Sequence, residues 1–441
     1  MYDRNRTLVI AGLLLVAVLM LSACVQQAAV PAAPTVAPAP EAKPTEAAAP
    51  AAPTVAPAPE AKPTEAAVPA AGQMQCPIVI GAAVHMTGGT AIYDMPPLEG
   101  ARLAVKEIND AGGINGCEVK MIELDGKSDP AKVGDAAVVA VQQGAQVLIA
   151  PCDFDYGSPV AIVAQENGLV GISECASSPL YSSKTLGDKQ FTMSPWSNVQ
   201  GAVSAEHACK AMGWKKGVVI VDTFSDYTRS LANYWADAYQ HHGCELLETV
   251  NYLKGDMTFK SQVDQIRNLA SAPEVIMLSA DSPDNGLIVR ELRAAGIDAP
   301  IVGGDALDTG EFIGAVGPEA GKNIYPTTFF WVGPESGKDM AQFIESFKTT
   351  FNKEPDNAFY VMGYNLIQVL KQAIEKTGTV EGAALAKALE NTPFKITGGE
   401  ISWTDAASGH EPRTPMAITE IQSGQHKFWG TLAPTYIPPV E

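Results

Sequence analysis

Residues 95–132 read MPPLEGARLAVKEINDAGGINGCEVKMIELDGKSDPAK, and this stretch decides the fold class. Leu98, Ala101, Leu103, Ala104, Val105 and Ile108 recur at three- and four-residue steps, the period of a helix with one apolar face. The run from Asn109 to Gly116 stops that helix, because glycine takes the left-handed conformation of a helix C-terminus at little cost. A β-rich run over 119–124 follows and ends at Asp125-Gly126. A second such run, over 78–84, precedes the helix. Strand, loop, helix, turn and strand in this order make a right-handed βαβ crossover. The loop over 85–94 leaves the carboxyl end of the first strand, where open α/β sheets bind ligands.

The alternation continues. Helix is expected over 130–143 and 158–167, and strand over 146–150 and 169–173. Val147-Leu148-Ile149-Ala150 is apolar throughout, as a strand covered on both faces requires. Residues 178–197 lose periodicity, and then a second series starts. It has helices over 199–212, 227–241, 259–270 and 284–295, interleaved with strands over 217–221, 244–253, 275–279 and 300–302. Further helices are expected over 341–351, 358–376 and 382–390. Short β runs close the chain at 400–403, 416–421 and 427–429. The fold class is therefore α/β: two doubly wound parallel-sheet lobes joined by irregular segments, with a cleft between their strand ends suited to closing on a ligand.

The N-terminus reads as a targeting signal. Arg4 and Arg6 precede an apolar run over 8–21, which is short for a membrane span and of the right length for a secretory segment. Leu21-Ser22-Ala23-Cys24 resembles a bacterial lipobox, so residues 1–23 are expected to be removed and Cys24 to carry lipid. An uncleaved anchor is the alternative, and both place the folded part outside the cytoplasm. In residues 24–75, APTVAPAPEAKPTEAAAPA at 33–51 recurs almost unchanged at 52–70. Such Ala/Pro-rich chain buries too little apolar area to fold and reads as an extended tether. The 441 residues carry 30 basic and 49 acidic side chains, a net charge of −19. That balance, with no basic cluster, excludes a nucleic-acid partner.

Six cysteines follow Cys24. In an exported chain they point to disulfides, and the strand reading narrows the pairing. Cys76 and Cys117 each precede a strand of one neighbouring pair. Cys152 and Cys175 each follow a strand of another. Cys209 ends a helix and Cys244 starts a strand in the second half. The expected pairs are Cys76–Cys117, Cys152–Cys175 and Cys209–Cys244. No CxxC or Cys/His spacing suggests zinc, and no metal or cofactor is expected.

Taken together and in order, GARLAVKEINDAGGINGCEV, SDPAK, SSPL, IVRELRAAGIDAPIVGGD and DNAFYVMGYNLI resemble the branched-chain amino acid type of solute-binding protein that serves ABC importers. The resemblance runs from about Cys76 to Trp429. It implies the type I periplasmic binding protein topology with three crossovers, placed near Met193, Tyr325 and Ile396. Lobe one then comprises 76–193 and 325–395, and lobe two 194–324 and 396–441. It also implies a monomer that hands its ligand to a membrane permease.

Pocket positions follow from the resemblance one at a time. The aromatic of the first loop matches Tyr93. The paired serines of the third-strand loop are replaced by Asp153 and Phe154. The small residues after the fourth strand match Cys175, Ala176 and Ser177. In the second lobe, a closing tyrosine matches Tyr227, an aromatic position matches Asp281, and the acid that pairs with a ligand ammonium matches Asp305. Each has a plainer alternative: Asp153, Asp281 and Asp305 as helix caps or turn formers, and Tyr227 as packing. Carboxylates at Asp153, Asp281 and Asp305 would repel a ligand carboxylate, which favours a basic amino acid, amide, urea-like compound or amine over plain leucine. No GxSxG, HExxH, GxGxxG or P-loop signals catalysis. A ligand-sensing ectodomain beside a membrane receptor is the alternative to the importer role.

Overall fold

The computed structural model describes residues 75–440. The expected signal segment 1–23, the lipidation cysteine Cys24 and the tether, save its last residue, lie outside the described residues. Among the described residues no helix is long and apolar enough to cross a membrane.

The first sheet holds five parallel strands: β1 (Ile78–Val84), β2 (Val119–Asp125), β3 (Val147–Ala150), β4 (Val170–Ser173) and β5 (Gln190–Thr192), in the order β2-β1-β3-β4-β5. The helices between them are α1 (Ala91–Asp110), α2 (Pro130–Gln142), α3 (Phe154–Glu166) and the short α4 (Ser183–Leu186). Leu98, Ala101, Leu103, Ala104 and Ile108 form the buried face of α1, as their spacing requires. That helix starts earlier than expected, so Tyr93 and Asp94 belong to its first turn rather than to the preceding loop. One face of the sheet packs on α2 and α3 through Val133, Ala137, Val160 and Ala161. The other is covered by α1 and by helices from the C-terminal part of the chain: α10 (Lys338–Phe351), α11 (Phe359–Thr377) and α12 (Gly382–Leu389).

α1 and α11 cross closely because each offers the other a glycine. A Cβ on Gly100 would stand 1.9 Å from the Tyr360 carbonyl oxygen, and one on Gly363 would stand 1.8 Å from that of Pro97. Backbone cannot yield as a side-chain tip does, so Gly363→Ala is expected to destabilise the protein by about 1–3 kcal/mol or more. Chemical denaturation checks this, and a loss below about 0.5 kcal/mol would contradict the close crossing.

The second sheet has seven strands in the order β15-β14-β10-β9-β8-β6-β7. They are β6 (Lys216–Asp222), β7 (Glu245–Tyr252), β8 (Val275–Ser279), β9 (Ile301–Gly303), β10 (Ile324–Thr328), β14 (Ala417–Gln422) and β15 (Gln425–Thr431). Strands β6 to β10 are parallel, and β14 and β15 join antiparallel. α5 (Ser197–Glu206) and α6 (Asp226–His241) cover one face. α7 (Lys260–Arg267), α8 (Asp284–Ala294) and α9 (Gly310–Ala320) cover the other. A small antiparallel sheet of β11 (Phe394–Ile396), β12 (Gly399–Trp403) and β13 (Pro412–Arg413) completes the fold.

Two expected crossing points shift. Tyr325 lies inside β10, bonded between β9 and β14, so the chain leaves the second sheet only after Thr328. Ile396 is not a return to the second lobe. Phe394, Ile396, Ile401 and Trp403 belong to the first core, Trp403 stands edge-on to Phe191 at 5.8 Å, and its Nε1 donates to the Thr192 carbonyl at 2.7 Å. The second sheet is rejoined at Ala417. Burial of these aromatics holds residues 394–413 on the first lobe.

The three disulfides are Cys76–Cys117, Cys152–Cys175 and Cys209–Cys244, with Cα separations of 5.1, 4.6 and 6.1 Å. Strand register explains the first two. Ile78 lies opposite Val119, and each cysteine of the first pair precedes its residue by two. Ala150 lies opposite Ser173, and Cys152 and Cys175 follow them by the same step.

Candidate functional site

The carboxyl ends of the two sheets face each other across a cavity. The first lobe lines it with Thr90, Tyr93, Cys152, Asp153, Tyr156, Cys175, Ser177 and Phe359. The second contributes Phe224, Ser225, Tyr227, Lys254, Asp281, Asp305 and Ala306.

Local structure sets each wall. After β1, His85 N–H donates to Asp94 Oδ2 at 2.8 Å, and Asp125 gathers the Met86, Thr87 and Lys127 amides. His85 Nδ1 accepts from the Ser128 amide at 3.0 Å, and burial pushes its pKa down to about 4 against the pull of Asp125 and Asp129. His85 is thus a neutral structural residue behind the site. After β3, Asp153 takes φ 76°, ψ 140°, a conformation unusual for a residue with a side chain. Its carboxylate caps nothing on α3, and its Oδ1 is buried without a partner among the described residues. The disulfide Cys152–Cys175 ties this loop to the loop after β4 and forms part of the cavity wall.

In the second lobe, Tyr227 Oη donates to Asp305 Oδ1 at 2.5 Å, and Gln200 Nε2 donates to Asp305 Oδ2 at 3.3 Å. Gly304 permits the tyrosine's approach, since a Cβ there would lie 2.2 Å from Tyr227 Oη. The cap of α9 is Thr309, not Asp305. Lys254, in the turn after β7, reaches Asp281 at 3.6 Å.

Three acids and one cation therefore share a desolvated space. Burial pushes Asp305 up to about 7, against the hydrogen bonds from Tyr227 and Gln200. Burial and the charges of Asp281 and Asp155 hold Asp153 well above the ordinary carboxylate range. Burial also raises Asp281, with Lys254 opposing it. Burial disfavours the Lys254 ammonium, but Asp281, Tyr156, Asp222 and Asp153 outweigh this and keep its pKa above the usual value.

The lobes are bonded across the cleft. The Ser282 amide donates to Tyr93 Oη at 2.8 Å, and the Asp226 amide to Asp155 Oδ2 at 2.8 Å. Ser178 Oγ donates to Asp226 Oδ2. These bonds describe a closed cleft.

Of the residues singled out by sequence, Tyr93, Asp153, Cys175, Ser177, Tyr227, Asp281 and Asp305 meet at this cavity. Phe154 and Ala176 do not: both pack into the apolar layer behind the first sheet, on the face covered by α2 and α3. Each follows a cavity residue directly, and the chain there turns the next side chain inward. Sequence reasoning missed Lys254, Tyr156, Phe224, Ser225 and Phe359. Phe359 was available in the DNAFY stretch, read only as a helix start. Lys254 follows an edge strand in an irregular turn with no pattern to mark it. The buried group Asp94, Cys152 and Glu174 is the one cluster of metal-ligand type among the described residues, but the Cys152 sulfur is held in its disulfide.

Comparison with known proteins agrees with this architecture. The family model described as periplasmic binding protein matches residues 77–426. Leu/Ile/Val-binding protein homolog 1 of Brucella suis is 27% identical over 341 residues, covering 77% of this chain and 88% of that protein. The Leu/Ile/Val-binding protein BraC3 of Rhizobium johnstonii is 29% identical over 317 residues, covering 71% and 83%. Among solved structures, the branched-chain amino acid transporter substrate-binding protein LivJ of Streptococcus pneumoniae, in complex with isoleucine, superposes with a TM-score of 0.74 at 23% identity. That match covers 80% of this chain and 99% of LivJ. A solute-binding protein of an ABC transporter from R. palustris, in complex with benzoate, gives 0.71 at 20% identity, covering 82% and 98%. The fold is the type I periplasmic binding fold, and the chain belongs to the periplasmic binding protein family.

Proposed function

We propose that this protein is an extracytoplasmic receptor that closes on an amino acid or an amide- or amine-type small molecule and delivers it to an ABC importer. The observation that carries the reading is the cavity walled by strand ends of both lobes and furnished with Asp153, Asp281, Asp305 and Tyr227. Such a cavity is the usual form of a small-molecule site. The cross-cleft bonds of Tyr93 and Asp226 supply differential contacts for a closed state that a ligand would stabilise. Hinge motion is assigned to the segments where the chain passes between the sheets. Similarity to Leu/Ile/Val-binding proteins supports the transport role. The lipid on Cys24 and the tether would keep the receptor near its permease.

A thermal-shift screen of the full chain against amino acids, amides and amines tests the reading. A ligand at a hundredfold excess over its dissociation constant stabilises by about 2.7 kcal/mol. No response across a broad solute panel would refute it.

A further inference from the structure

The cavity is rich in acceptors and poor in cations. We propose that it selects a ligand with two or more N–H donors on one planar centre (a carboxamide, urea, amidinium or guanidinium group), with Asp153 receiving those donors. The inference rests on the receptor reading above and narrows its ligand.

The chemistry of the lining carries the inference. Asp153 Oδ1 is a buried acceptor with no donor among the described residues, and Asp153 lines the cavity. A buried acceptor left unsatisfied is costly, and a ligand N–H placed there satisfies it. Asp305 already takes one bond on each oxygen and has lone pairs left for a second donor. The only cation lining the cavity among the described residues is Lys254, and it stands at Asp281. A ligand carboxylate would therefore meet more acid than base. Tyr93, Tyr156 and Phe359 provide flat faces for a planar group.

Neutral and cationic ligands share this donor geometry, and Lys254 separates them. A neutral carbonyl accepts from its ammonium. A cation competes with that ammonium for Asp281.

Calorimetry on the full chain with acetamide, urea, acetamidinium and guanidinium, and with leucine and benzoate for comparison, tests the proposal. At least one of the four probes is expected to bind tenfold or more tightly than leucine or benzoate. Asp153→Asn is expected to weaken that probe tenfold or more, in a folded protein, because asparagine tolerates positive φ. Lys254→Met is expected to weaken binding of a neutral ligand and to strengthen binding of a cation. Tighter binding of leucine or benzoate than of every probe overturns the proposal and leaves the receptor reading standing. Unchanged binding in Asp153→Asn also overturns it. Silence toward all six compounds overturns it as well, and the broad screen then decides the receptor reading separately.

Discussion

Asp305→Asn is expected to weaken ligand binding about ten- to a hundredfold while making the empty protein more stable at pH 8. The first effect follows from the loss of a charge-assisted hydrogen bond in a closed cleft, worth ~1.5–3 kcal/mol. The second follows from burial. Asp305 is 5% exposed, and desolvation pushes its pKa up to about 7 in spite of the bonds from Tyr227 and Gln200, with Asp281 and Asp308 adding to the rise. In the unfolded chain the same carboxyl titrates near its ordinary value. The folded state therefore holds this proton more tightly, and folding takes one up between about pH 4 and 7. Stability from this group is fully present below that window and falls as pH rises through it, by about 1.4 kcal/mol per unit. Asparagine keeps the shape, still accepts from Tyr227 and removes the titration. The variant and the parent should then be equally stable near pH 4 and diverge toward pH 8. Calorimetric binding and denaturation at both pH values check the two halves separately. Undiminished affinity would remove Asp305 from the ligand site, and a variant weaker than the parent at pH 8 would contradict the burial argument.

The same residue shows how far sequence reaches. Asp305 follows Gly303-Gly304 at a strand end, a position legible from the alternation of strands and helices and from the resemblance to a known family. The periodic segments were legible for the same physical reason: α1, α3 and α6 each bury one face, and β3 is apolar throughout. What escaped was structure whose local signal is broken or absent. Pro326 sits within β10, and a proline in a short run argues against a strand. Residues 394–413 are held to the first lobe by Trp403 and His410 against Phe191, contacts between distant segments that no local period reveals. Phe154 and Ala176 were assigned to the cavity by matching pocket positions of the resembled family. Side-chain direction at a strand end depends on the turn that follows, and at Asp153 that turn has positive φ. Lys254 carries a charge that reverses part of the pocket's balance, yet in sequence it is one lysine in a surface-like turn.

Glu174→Gln is expected to flatten the fall of stability as pH rises above the ordinary carboxyl range, with its advantage over the parent growing toward the alkaline end. Asp94 and Glu174 are both 0% exposed, and their carboxyl oxygens lie within 4.8 Å of one another. Asp94 accepts the His85 amide at 2.8 Å and the Cys152 amide at 2.9 Å. Neither oxygen of Glu174 has a partner among the described residues. Two buried carboxyls this close do not both ionise. Burial raises Asp94 to about 8 in spite of those two amides, and Glu174, which has no such donors, is driven well above the ordinary value by burial and then by Asp94. The nearby His85 does not supply a countercharge, since burial keeps it neutral above about pH 4. A raised carboxyl pKa means that folding binds a proton. The associated stability is complete below the unfolded value and declines as pH rises toward the folded one, by up to about 1.4 kcal/mol per unit. Glutamine fills the same space without that proton, so the part of the slope due to Glu174 disappears while that of the buried Asp94 remains. Denaturation of the parent and Glu174→Gln at several pH values reads the difference directly. Parallel slopes would show that Glu174 does not hold an extra proton on folding. Asp94 receives the Cys152 amide and adjoins Tyr93, so the proton sits directly behind the wall that carries Asp153 and the cross-cleft tyrosine. For that reason the alkaline loss in the parent should appear first as weakened cleft closure, and only at higher pH as unfolding.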